Sequence, residues 1–122
     1  MKKLPYVSLL AFALFLTSFN VYAALAGRCN NTTGGFCNEF NGSAYKADRV
    51  KKTCQRQGMK FLPGACTAKG SVGSCTVYKG TNMESQYRYY NNFPGYGIKP
   101  KNGVAAEAAR QCNNLKGVWS SN

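Results

Sequence analysis

The sequence predicts a small α+β single domain: two helices on a short antiparallel sheet, stabilised by disulfides and arranged as a pseudo-two-fold internal repeat. Three observations predict it. Six cysteines fall in a chain of 122 residues that begins with an export-type segment, and an even cysteine count in a short exported protein reads as a disulfide framework. Two stretches of helical periodicity, Ala47 to Cys54 and Ala105 to Cys112, each end on a cysteine. Short segments marked by glycine, cysteine and an aromatic recur around them in the same order.

The first element is a signal peptide. Lys2 and Lys3 supply a positive start, no charge follows until Arg28, and Leu9 to Leu16 form an apolar centre. Val21-Tyr22-Ala23 and Ala24-Leu25-Ala26 both place small residues where signal peptidase requires them. Cleavage after Ala23 is preferred and Ala26 is the alternative, giving a signal at 1–23 and one domain at 24–122. The apolar run is shorter than the roughly 20 residues of a membrane span, so the mature chain is expected in the periplasm or outside the cell with no transmembrane segment.

Two repeats follow, at about 27–64 and 65–120. Gly35-Phe36-Cys37-Asn38-Glu39-Phe40-Asn41-Gly42 matches Gly73-Ser74-Cys75-Thr76-Val77-Tyr78-Lys79-Gly80 as a strand with a cysteine, and Cys29 or Cys66 precedes each copy. The first helix takes Ser43 as its cap, with Ala47, Val50 and Cys54 on one side and Lys46, Arg49, Lys52 and Arg56 on the other. The second takes Asn102 as its cap and gathers Ala105, Ala108, Ala109, Cys112 and Leu115 on one face. Gly58 and Gly117 mark the helix stops, offset by one position, and Phe61 and Trp119 lie seven residues beyond each helical cysteine. An insertion at about 81–103, rich in Tyr, Asn, Gly and Pro, breaks the symmetry and is expected to form a protruding hairpin.

Six cysteines allow fifteen pairings and the sequence does not choose among them. The symmetric hypothesis joins Cys37 to Cys54, Cys75 to Cys112, and Cys29 to Cys66 across the pseudo-axis. Zinc is disfavoured because no C-x-x-C pair is present. A glycine-cysteine strand, a helix ending in cysteine, and a glycine stop followed by an aromatic, written twice after a signal peptide, resembles small cysteine-rich exported bacterial proteins of unknown function. That resemblance implies fold and compartment and carries no activity.

Composition narrows function by exclusion. With no histidine, Ser/His/Asp and Cys/His machinery is absent. The four acids Glu39, Asp48, Glu84 and Glu107 are scattered singly, against a carboxylate cage for calcium. No metal or other cofactor is expected. The formal charge is +12 at pH 7, two units of it from Lys2 and Lys3, which points to an anionic partner. Two candidate binding sets emerge: the basic stripe Lys46, Arg49, Lys52 and Arg56, and the aromatic run Tyr87, Arg88, Tyr89 and Tyr90 with Tyr96, whose rings and Arg suit stacking on sugars or bases. The expected function is non-enzymatic binding of an anionic ligand, such as envelope polysaccharide, lipid headgroups or nucleic acid. The alternative is an inhibitor or interaction partner of another exported protein. Catalysis would have to rely on a glutamate such as Glu39 or Glu84 beside Arg88.

Overall fold

A computed structural model describes residues 25–122; the signal segment 1–23 lies outside the described residues. The elements run β1 (Arg28–Asn31), β2 (Phe36–Phe40), α1 (Ala47–Arg56), β3 (Lys60–Leu62), β4 (Ser71–Val77), β5 (Ser85–Tyr90), α2 (Val104–Asn114) and β6 (Val118–Ser121). The strands form one antiparallel sheet in the order β3-β1-β2-β5-β4-β6. Within the described residues, two helices, six antiparallel strands and three disulfides make the α+β architecture that the sequence predicts.

Strand register decides which side each residue takes. Cys29 opposes Asn38, Asn38 opposes Tyr87, and Tyr87 opposes Cys75. Directly opposed residues project from the same face, so this row shares one face of the sheet. Cys29 is bonded to Cys54 of α1 and Cys75 to Cys112 of α2; both helices therefore lie on that face. Residues one step along the strands point the other way. Cys37, Glu39, Arg88 and Tyr90 thus face a strap at 63–70, which is tied down by the Cys37–Cys66 disulfide and by the Tyr90 hydroxyl donating to the Thr67 carbonyl at 2.8 Å.

The core is divided between the helices. Under α1, Cys29, Phe40, Val50 and Cys54 are buried with Tyr45, Met59 and Phe61 against them; under α2, Cys75, Val77, Tyr89, Phe93, Ala108 and Cys112 pack with Trp119. Aromatic rings and cystine sulfur replace the missing aliphatics. Tyr89 meets Phe93 edge to face at 4.6 Å, and Phe40 meets Tyr45 at 4.9 Å.

Five sequence expectations are corrected here. Cys75–Cys112 pairs as expected, but Cys37 bonds Cys66 and Cys29 bonds Cys54. A Cys37–Cys54 bond is excluded by parity, because Cys37 points away from the helices. The match of Gly35–Gly42 to Gly73–Gly80 does not carry into the sheet: β2 turns its cysteine to the strap, whereas β4 turns Cys75 to α2. Ser43 does not cap α1; Lys46 holds the N-cap position in an extended conformation with no side-chain cap, since the chain at 41–44 is bonded to the β4–β5 turn instead. Gly103, at φ 92°, replaces Asn102 at the start of α2. Finally, Tyr87 to Tyr90 belong to β5, a central strand between β2 and β4, and do not protrude.

Both helices end in the same hydrogen-bonded stop. Met59 N–H donates to Cys54 O and Gly58 N–H to Gln55 O after α1; Gly117 N–H donates to Cys112 O and Lys116 N–H to Asn113 O after α2. The left-handed position is Gly58 in one case and Lys116, at φ 56°, in the other. Gly117 is glycine for a different reason: a Cβ there would strike the sulfur atoms of Cys75 and Cys112. This accounts for the one-residue offset between the two glycines.

Candidate functional site

Helix α1 is built as an amphipath by its spacing. Val50 and Cys54 are buried, while Arg49, Lys52 and Arg56, three and four residues apart, lie on the opposite side and are exposed. Lys46 is exposed at the N-cap. Asp48 is the sole acid on this helix, and no ion pair forms on it among the described residues. Arg56, in the last turn, complements the helix dipole, but Lys46 and Arg49 at the opposite end oppose it. Helix stability does not explain their charge.

Lys46 and Arg49 also border a cavity of about 410 Å³. Phe40 and Val50 form its floor, and Tyr45 and Met83 its wall. Tyr45 donates its hydroxyl to the Met83 carbonyl at 2.8 Å. Tyr45, Phe40 and Met83 were missing from the sequence-derived site, because residues 38 apart in sequence meet here through the β4–β5 turn. Only the adjacency Tyr45-Lys46 hinted at it.

The aromatic candidates do not join this stripe. Tyr87 and Tyr89 share the helix-facing side of β5 and line a separate cavity of about 300 Å³ with Phe36, Phe93, Pro94 and Leu115. Tyr89 is only 3% exposed; burial, and then Tyr87, push its hydroxyl pKa up to about 12. Burial also raises Tyr87, with Tyr45 adding to the shift. Both act chiefly as packing groups. Tyr96 is 73% exposed in the loop after β5.

Arg88 and Tyr90 lie on the opposite face with Glu39, beneath the strap. Glu39 is buried, and its carboxyl is raised above the usual glutamate range by burial, which outweighs the lowering effects of Arg88, the Cys66 N–H and Arg28. Tyr90 is raised too, by burial first, with Arg88 and Arg28 opposing and Glu39 adding. Arg88 reaches Ser71 Oγ at 3.4 Å, and its Nε has no partner among the described residues. The expected site is therefore divided over four places: the α1 stripe, the α2-side aromatic cavity, the charged layer under the strap, and the exposed loop that carries Tyr96.

Helix α2 provides an internal contrast. Counting back from the helical cysteines Cys54 and Cys112, the positions of Arg49 and Lys52 are taken in α2 by Glu107 and Arg110, which form a salt bridge. The Arg110 hydrogen bonds hold the Glu107 carboxyl below its usual range. Within the described residues no helix is long and apolar enough to cross a membrane. In comparisons with known proteins the chain matches no family model, no curated protein and no solved structure, so its functional reading rests on this geometry.

Proposed function

We propose that this is an exported, non-enzymatic binding domain that holds an anionic envelope or extracellular ligand on the α1 face through Lys46, Arg49, Lys52 and Arg56. The observation that carries the reading is the contrast between the helices. The same scaffold position that carries uncompensated cations on α1 carries a self-neutralised pair on α2, so the fold itself does not require the charge. Export is supported by the three disulfides. Cleavage after Ala23 is favoured over Ala26, because Ala26 N–H bonds the Phe40 carbonyl at 3.3 Å and packs on the α1 core.

We also infer a duplicated unit, β1-β2-α1-β3 and β4-β5-α2-β6, in a register different from that of the motif match. The sheet order is symmetric about the β2–β5 boundary. Cys29 opposes Phe61 and Cys75 opposes Trp119. Two residues before each of these cysteines stands a glycine, Gly27 or Gly73, whose added Cβ would run into that same ring.

Retention on immobilised heparin tests the binding reading. Affinity is expected to fall by roughly tenfold or more between about 50 and about 200 mM salt; salt-independent retention, or none, contradicts it. A second reading, docking to another exported protein, is favoured by the exposed apolar groups Tyr96 and Ile98, 73% and 61% accessible. Salt-tolerant binding abolished by Tyr96→Ala and Ile98→Ala would select it.

A further inference from the structure

The cavity beside Lys46 and Arg49 narrows the class of ligand. Its lining joins apolar groups to two cations. Phe40 and Val50, 8% and 2% exposed, close its base, and Met83 exposes a flexible thioether at its side. Lys46 and Arg49 line it too and are exposed; side chains of this kind lay their methylene stems on apolar surface and keep the charge in water. Neither Asp48 nor Glu84 lines it; the Glu84 carboxylate is occupied by the Gly80 N–H at 2.9 Å.

The wall is fixed before any ligand arrives. Asn41 and Gly42 both donate to the Glu84 carbonyl, at 3.0 and 2.8 Å, and Ala44 N–H donates to the Asn82 carbonyl at 2.9 Å. Gly42 permits this approach, since a Cβ there would collide with the Asn82 carbonyl. With the Tyr45 hydroxyl bond to Met83, these contacts hold the turn against the helix. A preformed site spares a ligand the cost of ordering it.

We infer that this cavity takes the alkyl chain of an anionic lipid, with the phosphate or carboxylate head held by Lys46 and Arg49. A bare polyanion would use the outer stripe and leave the apolar groups uncovered. A neutral apolar molecule would forgo the two cations. The occupant that satisfies both halves carries a chain and a negative head, and the volume of about 410 Å³ lies in the range of small-ligand pockets. The inference rests on the α1 anion reading and names the ligand of that surface.

The experiment is calorimetric titration of the oxidised mature domain with inorganic phosphate, octyl phosphate, decyl phosphate and neutral decyl maltoside, all below micelle formation. Each methylene that enters the cavity should tighten binding about fourfold, so decyl phosphate is expected to bind roughly tenfold or more above octyl phosphate. Decyl maltoside should bind weakly. Met83→Gln, a neutral change at an exposed position, should reduce the chain-length dependence and leave heparin retention in place; Arg49→Gln should weaken decyl phosphate while the difference between chain lengths persists. Decyl phosphate binding no tighter than inorganic phosphate, with heparin still retained, overturns the lipid inference and leaves the basic-face reading standing. Loss of heparin retention together with every phosphate overturns both. Equal binding of decyl maltoside and decyl phosphate removes the role given to the cations.

Discussion

Glu39 shows how one buried side chain sets a measurable pH dependence. Its carboxyl is raised above the usual value because the strap and the sheet remove water from it faster than Arg88, the Cys66 N–H and Arg28 compensate. A carboxyl with a raised folded-state pKa favours the fold while protonated in both states, and that contribution is lost as pH rises from the unfolded value through the folded one. Glu39→Gln should therefore remove a loss of stability that the parent shows on going from acid to neutral pH. Urea unfolding of both proteins across that range checks it, and parallel profiles would refute the assignment. Under α2, Gly117→Ala forces a methyl into the Cys75–Cys112 bond and should cost about 2 kcal/mol or more. Lys116→Gly should be neutral or stabilising, by up to about 1 kcal/mol, since it relieves a left-handed lysine. Thermal melts distinguish the two.

Individual elements differ in how far the sequence disclosed them. Both helices were readable, because Val50 and Cys54 in one and Ala108 and Cys112 in the other repeat at helical spacing, and those residues are the buried ones. The order Tyr87, Arg88, Tyr89, Tyr90 can be divided between two faces of a strand from the sequence alone, although neither the face that meets the helices nor the central position of β5 can. β2 concealed its orientation. From Cys37 to Phe40 every residue is buried, because a helix layer covers one side of the sheet and the strap the other, so no polar alternation told which way Cys37 points. Hence the wrong partner for it. The strap itself gives an element-scale prediction: Cys37→Ala with Cys66→Ala should lower stability by about 3 kcal/mol and release 63–70 while both helical disulfides persist. Hydrogen exchange should rise first at the strap and along the buried layer around Glu39. Unchanged protection there would mean that the strap is held without the bond.

At the scale of the whole molecule, composition sets the construction. A basic chain poor in aliphatic residues divides its core between two helices and relies on aromatic rings and three disulfides to close it. The cations of the candidate site were legible in the sequence because Arg49, Lys52 and Arg56 share one helix face and Lys46 immediately precedes it. The cavity was not, since the residues around Tyr45 and Met83 meet only through tertiary structure. Net charge alone would attract any polyanion, so the central claim concerns position. Its most direct measurement compares heparin affinity, at one moderate salt concentration, of two charge-matched variants: Lys46→Gln, Arg49→Gln, Lys52→Gln and Arg56→Gln together, against Lys69→Gln, Lys79→Gln, Lys99→Gln and Lys101→Gln together, all eight positions being exposed. The account predicts that the α1 variant loses roughly tenfold or more in affinity and the other nearly none; equal losses in the two would contradict it.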